Sequence, residues 1–182
     1  MHGQESIALN RDVNAIIIPD GVHITLKEND VVTIMQSLGG TYTVSSETGV
    51  MARISAIDAD ALGKEVEVIH AYDTGTDPES MREASWEFMK TVYDPEIPVN
   101  VVDLGLIYDC TVRALTDGLN HVHVKMTLTA PGCGMGPVIQ GDIESGIKRM
   151  EGVETVEVEV VLDPPWNQNM MSEAAKLQLG ML

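Results

Sequence analysis

From Val13 to about Ile69, apolar and polar positions alternate in short runs, interrupted every eight to ten residues by turn-forming clusters. One run ends at Pro19, Asp20 and Gly21. Val22, Ile24 and Leu26 then alternate, KEND turns the chain, and VVTIM, TYTVS and VMARI are set apart by LGG and SETG. Alternation of period two between turn clusters is the pattern of half-buried strands. It predicts a small all-β domain over 1–75, folded as a barrel-like meander, with DADALG forming one helical turn closed by Gly63.

Around AYDTGTDPE the period changes from two to about 3.6, with Gly75 and Pro78 at the change. Asp77 can cap a helix that Pro78 opens, since the N–H that proline lacks would have been unpaired there. Met81, Ser85, Phe88, Met89 and Val92 fall on one face of that helix. After two prolines a strand is expected from about Val101 or Val102. Leu106, Tyr108, Cys110, Val112 and Ala114 face inward on it, and Ile107, Asp109, Thr111 and Arg113 outward. Thr116-Asp117-Gly118 turns the chain into a second strand. Here Val122, Val124, Met126 and Leu128 point inward, and His121, His123, Lys125, Thr127 and Thr129 outward.

Pro137 opens a second helix with Ile139, Ile143, Gly146, Ile147 and Met150 as its stripe, stopped by Gly152. A last strand puts Val156, Val158, Val160 and Leu162 inward. The order helix, strand, strand, helix, strand predicts a two-layer α+β domain over 76–163. Its mixed three-stranded sheet has helices on one face, because a strand–helix–strand crossover joins parallel strands. Trp166 and a helical tail, 164–182, follow.

Composition narrows the function. With 28 acids against 11 bases the formal charge is −17, which repels phosphate backbones and anionic headgroups, so neither nucleic acid nor membrane is expected as a partner. There is no run of ~18 consecutive apolar residues to span a bilayer. Nor does MHGQESIALN have a cationic start before an apolar stretch, so a cytoplasmic protein is expected. Two cysteines in 182 residues argue against a disulfide scaffold and fit a reducing compartment.

Cys133 lies in LTAPGCGMGPV, where a strand gives way to a helix, and ligands of open α/β sheets gather at that edge. The positive end of the following helix favours a thiolate, and Gly132, Gly134 and Gly136 remove bulk around it. Cys110, by its parity, is a small core residue. The GCGMGP loop lacks the lysine of a phosphate-binding loop, so nucleotide binding is not expected. His23 and His70 are isolated. His121 and His123 share the solvated face of a strand, away from any route to Cys133, so a cysteine–histidine hydrolytic pair is poorly supported. Asp94, Glu96, Asp103 and Asp109 form an acidic segment in which turn and capping roles come first. Asp103 would be the second group of a site if its loop folded beside Cys133.

Read together, YDPEIPVNVVDLGLIYD and MTLTAPGCGMG resemble the signature of the metal–sulfur cluster biosynthetic domain family. SufT-type iron–sulfur assembly proteins and the phenylacetate-degradation subunit PaaD belong to it. The resemblance runs from about Pro78 to Leu162, and the front half and tail look SufT-like in addition. It implies an accessory role in maturing iron–sulfur proteins, with Cys133 as the family's cysteine and Asp94, Glu96, Asp103 and Gly105 as its acidic motif. It leaves open whether Cys133 acts as carrier or adaptor: two chains of a homodimer sharing an iron–sulfur cluster with outside thiols, a brief meeting with a partner's cluster during transfer, or a thiol that is only part of a docking surface, with assembly machinery and client apoproteins as partners. Two other readings stay open: a subunit of a multicomponent phenylacetyl-CoA-type oxygenase, and a cysteine-dependent enzyme.

Overall fold

The computed structural model describes residues 4–66, 75–130, 132 and 134–181. The chain divides into two compact units, Met1–Ile69 and His70–Leu182. His70 and the centre of the expected domain boundary lie outside the described residues.

The first unit is a six-stranded antiparallel sheet in the order β1-β4-β5-β6-β2-β3. Its strands are β1 (Glu5–Ala8), β2 (Val13–Ile17), β3 (His23–Leu26), β4 (Val31–Leu38), β5 (Thr41–Ser46) and β6 (Met51–Ile54). Only β4-β5-β6 is a meander, because β2 returns to pair with β6 and carries β3 to the sheet edge. Leu9, Val13, Val32, Val44, Ile54 and Leu62 are buried in its core. The expected helical turn is a 3-10 segment, Ala56–Leu62, ended by Gly63 at φ 68°. Arg11 ties that segment down, its guanidinium bonding Asp60 at 2.6 and 2.8 Å and Asp58 at 2.9 Å. The same bonds hold the Asp60 carboxyl below its ordinary pKa. Val22 was expected inward but is 52% exposed. It lies before β3 in a tight turn, where its carbonyl accepts from Ile17 and Gly21 has φ 73°.

The second unit begins with α1 (Pro78–Met89), whose N-cap Asp77 accepts a bond from the Ser80 N–H. Strands β7 (Ile107–Ala114) and β8 (Asn120–Met126) pair antiparallel, and β9 (Val153–Val160) joins β8 in parallel after α2 (Gly136–Lys148). Phe88, Ile139, Ile143 and Ile147 of the helices share one core with Cys110, Val122, Val124 and Val158 of the sheet, so both helices cover the same face.

The structure corrects four details of the expected register. First, β7 starts at Ile107, not near Val101, because 101–106 is wound into turns. Asn100 Oδ1 accepts from the Val102 and Asp103 N–H groups, and Leu104 N–H donates to Asn100 O. Second, Ile107 is buried rather than outward, since a register shift between Ile107 and Asp109 takes Tyr108 out of the alternation. Third, Thr127 is 1% exposed, because β8 has ended and its N–H turns in to Leu106 O. Fourth, Leu162 is 56% exposed, since the ladder stops at Val160 and closes with Val161 N–H on Met126 O.

Two glycines of α2 differ in surroundings. A Cβ on Gly146 would fall inside the Phe88 ring, whereas one on Gly141 meets nothing within 4 Å. Gly146→Ala should therefore destabilise the protein by about 1–3 kcal/mol through overpacking. Gly141→Ala should stabilise it by about 0.5–1 kcal/mol through helix propensity alone. Urea unfolding of the two variants beside wild type checks the opposite signs.

Candidate functional site

The loop that leaves β8 and enters α2 spans 127–135, and its sequence dictates its course. Leu128 is half-buried, and a Cβ on Gly136 would press on its methyl groups, so a glycine lets the start of α2 close onto the strand end. Met135, the N-cap residue of α2, is fully buried and anchors the loop from below. Gly132 and Gly134 are exposed, and Gly132 has φ 76° with open space where a side chain would stand. Cys133 itself lies outside the described residues, as does Pro131.

The other cysteine is closed to chemistry. Cys110 is 0% exposed beneath α1, and burial pushes its thiol up to about 11, with the Arg82 charge pulling the other way. Arg82 Nε donates to the Cys110 carbonyl at 3.0 Å.

The acidic segment is a self-contained turn structure. Asp94 is 5% exposed, and its Oδ1 accepts from the Glu96 and Ile97 N–H groups, both at 2.9 Å. Asp103 Oδ2 accepts from Asn100 Nδ2 at 2.7 Å. Glu96 is exposed. Gly105 adopts φ 78°.

The sequence reading missed how the C-terminal residues grip this segment. Trp166 Nε1 donates to Leu104 O at 2.7 Å, Ser172 N–H to Asp103 O at 2.8 Å, and Gln178 Nε2 to Pro98 O at 2.9 Å. A Cβ on Gly105 would overlap the Met170 carbonyl, so glycine there admits the tail. Met171 and Ala175 of the tail are buried in the core of the unit, and α3 (Glu173–Gln178) follows with Ser172 as its cap. A tryptophan beyond Pro164-Pro165, with an apolar stripe after it, was the available signal.

His121 and His123 are half-buried on the sheet face opposite the helices. His121 Nδ1 shares a hydrogen bond with Thr155 Oγ1 at 2.6 Å, and His123 Nε2 lies 3.1 Å from Glu159 Oε2. Among the described residues no group of three or more His, Cys, Asp or Glu is arranged to hold a metal ion. Nor is any helix among them long and apolar enough to cross a membrane.

A two-layer domain with this helix order, a mixed three-stranded sheet and a glycine-rich loop at the β8–α2 junction defines a recognisable class. The model of the family described as iron–sulfur cluster assembly protein matches residues 82–160. The chain belongs to this family, as its sequence motifs implied. It is 50% identical over 94 residues to an Fe-S protein maturation auxiliary factor of Porphyromonas gingivalis, covering 52% of this chain and 86% of that one. It is 39% identical over 89 residues to the Fe-S protein maturation auxiliary factor SufT of Staphylococcus aureus, covering 49% and 97%. A crystal structure of a domain of unknown function, DUF59, from Bacillus anthracis superposes with TM-score 0.53 at 34% identity, covering 58% of this chain and 96% of that one. These likenesses account for about half of the chain, and the front β unit lies outside the family match.

Two outcomes test this geometry. Gly105→Ala should loosen the tail, raising hydrogen exchange at the Ser172 amide at least tenfold while the β8 amides stay protected. The second concerns Cys110. The folded state keeps its thiol protonated above the pKa that the thiol has when unfolded. Stability from this group is therefore complete below about pH 9 and falls as the pH rises toward 11. The loss amounts to about 2–3 kcal/mol at most, and Cys110→Ala should remove that part of the alkaline slope in denaturant titrations.

Proposed function

We propose that this chain is an accessory factor in iron–sulfur protein maturation, acting as a carrier or adaptor through Cys133. The observation that carries the reading is the contrast between its two cysteines. Cys110 is sealed with its thiol held protonated, while the residues on either side of Cys133, Gly132 and Gly134, are exposed at the strand-to-helix junction. Thiolates favour such a place, beside the positive end of the thirteen-residue helix α2. The relatives named above are maturation auxiliary factors, which supports a role in assembly rather than catalysis.

The donor set does not suit a resident cluster in one chain. Protein clusters are generally held by four thiolates or by mixed cysteine and histidine ligands. This chain has two cysteines, one of them buried, and its sheet histidines are engaged with Thr155 and Glu159. The cluster is thus cargo, and Cys133 supplies one ligand while a second copy or a client supplies the others. Asp94, Glu96, Asp103 and Gly105 support the site through the shape of their turn. Asp103 is the carboxylate proposed to stand nearest the cargo. Partners in this reading are the iron–sulfur assembly machinery, client apoproteins and a second copy of the chain, in the cytoplasm.

Anaerobic reconstitution of the full chain with iron and sulfide tests it. Wild type and Cys110→Ala should develop a visible charge-transfer chromophore and Cys133→Ala none. In a deletion strain Cys133→Ala should fail to restore activity of a cluster enzyme. Failure in the strain without a chromophore in any variant selects the adaptor form. Cys133→Ala indistinguishable from wild type in both assays overturns the proposal, and thiol-sensitive turnover of a small substrate by the pure protein would replace it with an enzyme.

A further inference from the structure

The first unit contains a cavity of about 370 Å³ that the iron–sulfur reading leaves without a role. Its wall is aliphatic, built from Ile24, Leu26, Val32, Val44, Val50 and Ala52. Leu26 comes from β3 at one edge of the sheet and Val32 from β4, next to the opposite edge, so the sheet curls until both strands share the wall. Leu26, Val32, Val44 and Ala52 are buried, whereas Val31 and Val50, which also line it, are 38% and 37% exposed. The cavity thus opens to solvent past Val31 and Val50 together with the exposed polar residues Asp30, Glu47 and Thr48. A concavity of ~300 Å³ or more, apolar with a few polar groups, has the usual form of a binding pocket.

Three features specify what it takes. The ionisable side chains lining it are Asp30 and Glu47, with no lysine, arginine or histidine among the lining residues. Glu47 is exposed and has no cationic partner among the described residues. The lysines of this unit, Lys27 and Lys64, pair with Asp12 at 2.9 Å and with Glu5 at 2.8 Å. The complementary occupant is therefore apolar with a positive neighbour, which excludes a phosphate or a nucleic acid.

The third feature is β3. Among the described residues it pairs only with β2, which leaves the backbone groups of its other edge outside that ladder, while its Ile24 and Leu26 line the cavity. An exposed sheet edge beside a side-chain pocket accepts an extended peptide. The main chain adds to the ladder, and alternate side chains enter the pocket. A free apolar small molecule would use the cavity but not the edge.

We propose that this cavity and the β3 edge bind an extended basic segment of a partner protein, an aliphatic side chain filling the cavity and an adjacent lysine or arginine meeting Glu47. Both rim positions to be tested, Glu47 and Val50, are exposed, so their substitution leaves the core intact.

A phage-displayed library of random nonapeptides, panned against the full chain, should enrich sequences with an aliphatic residue beside lysine or arginine. A synthetic copy of the enriched peptide should shift the backbone amide signals of β3, β5 and β6. It should bind at least tenfold more weakly to Glu47→Lys and Val50→Arg, and more weakly in high salt. Circular dichroism and melting temperature establish that both variants are folded, and the amide shifts on wild type stand without them. Enrichment of acidic or purely apolar sequences, no enrichment, or shifts confined to the second unit would overturn the proposal. So would octyl glucoside shifting the same amides when no peptide does.

Discussion

The second unit depends on how closely α2 can approach α1 over the sheet. A parallel β8–β9 pair requires a crossover helix on the sheet face, and α1 already occupies part of that face. Gly146 makes room: its missing side chain is filled by the Phe88 ring, so both helices bury their stripes in one layer. Ile139, Ile143 and Ile147 then fix the rotation of α2, and Gly136 lets its first turn rest on Leu128. The loop before α2 thus runs between two packed anchors, Thr127 and Met135, and of its described residues Ala130, Gly132 and Gly134 are exposed. Exposure at Gly132 and Gly134 is thus a product of core packing in the helices.

The acidic segment is held by a different principle. Beyond one antiparallel bridge between Tyr93 and Asn100 the segment consists of turns whose polar groups are satisfied locally, Asp94 and Asn100 each accepting from two backbone N–H groups ahead of them. The remaining carbonyls of Pro98, Asp103 and Leu104 are taken by the C-terminal residues. Asp94 is tolerable where it is buried because its Oδ1 accepts from the Glu96 and Ile97 N–H groups. The acidic motif is therefore a rigid turn whose shape the tail completes, and its carboxylates serve first as acceptors within it.

Much of this was legible in the chain. The helices, the hairpin and the parallel return strand follow from periodicity, from Asp77-Pro78 and from Pro137, because those signals are local. The β1 strand was not legible, since Glu5–Ala8 has almost no apolar alternation and takes its ladder from β4, far along the chain. The true start of β7 was hidden because Val99, Val101, Leu104 and Leu106 are as buried in turns as they would be in a strand. Parity arguments fail wherever one residue leaves the ladder, as Tyr108 does, with its hydroxyl donating to Pro164 O instead. For the site, the sequence separated the roles of the two cysteines correctly for Cys110. It could not reveal that Gly105 is a docking point for Met170, a contact between residues 65 positions apart.

In the proposed role, a single sulfur ligand would limit how the protein selects its clients. Cargo that must be handed on cannot be gripped strongly by the carrier, so the thiol contributes little discrimination between one apoprotein and another. Recognition then has to reside in surface away from the sulfur. The first unit, which lies outside the family match, offers such surface in the acidic-rimmed cavity beside β3. Capture of an extended client segment there would make the later encounter of sulfur with client intramolecular, raising its effective concentration without strengthening the grip on the cargo. Weak, reversible ligation and selective delivery are compatible when different parts of the chain perform them.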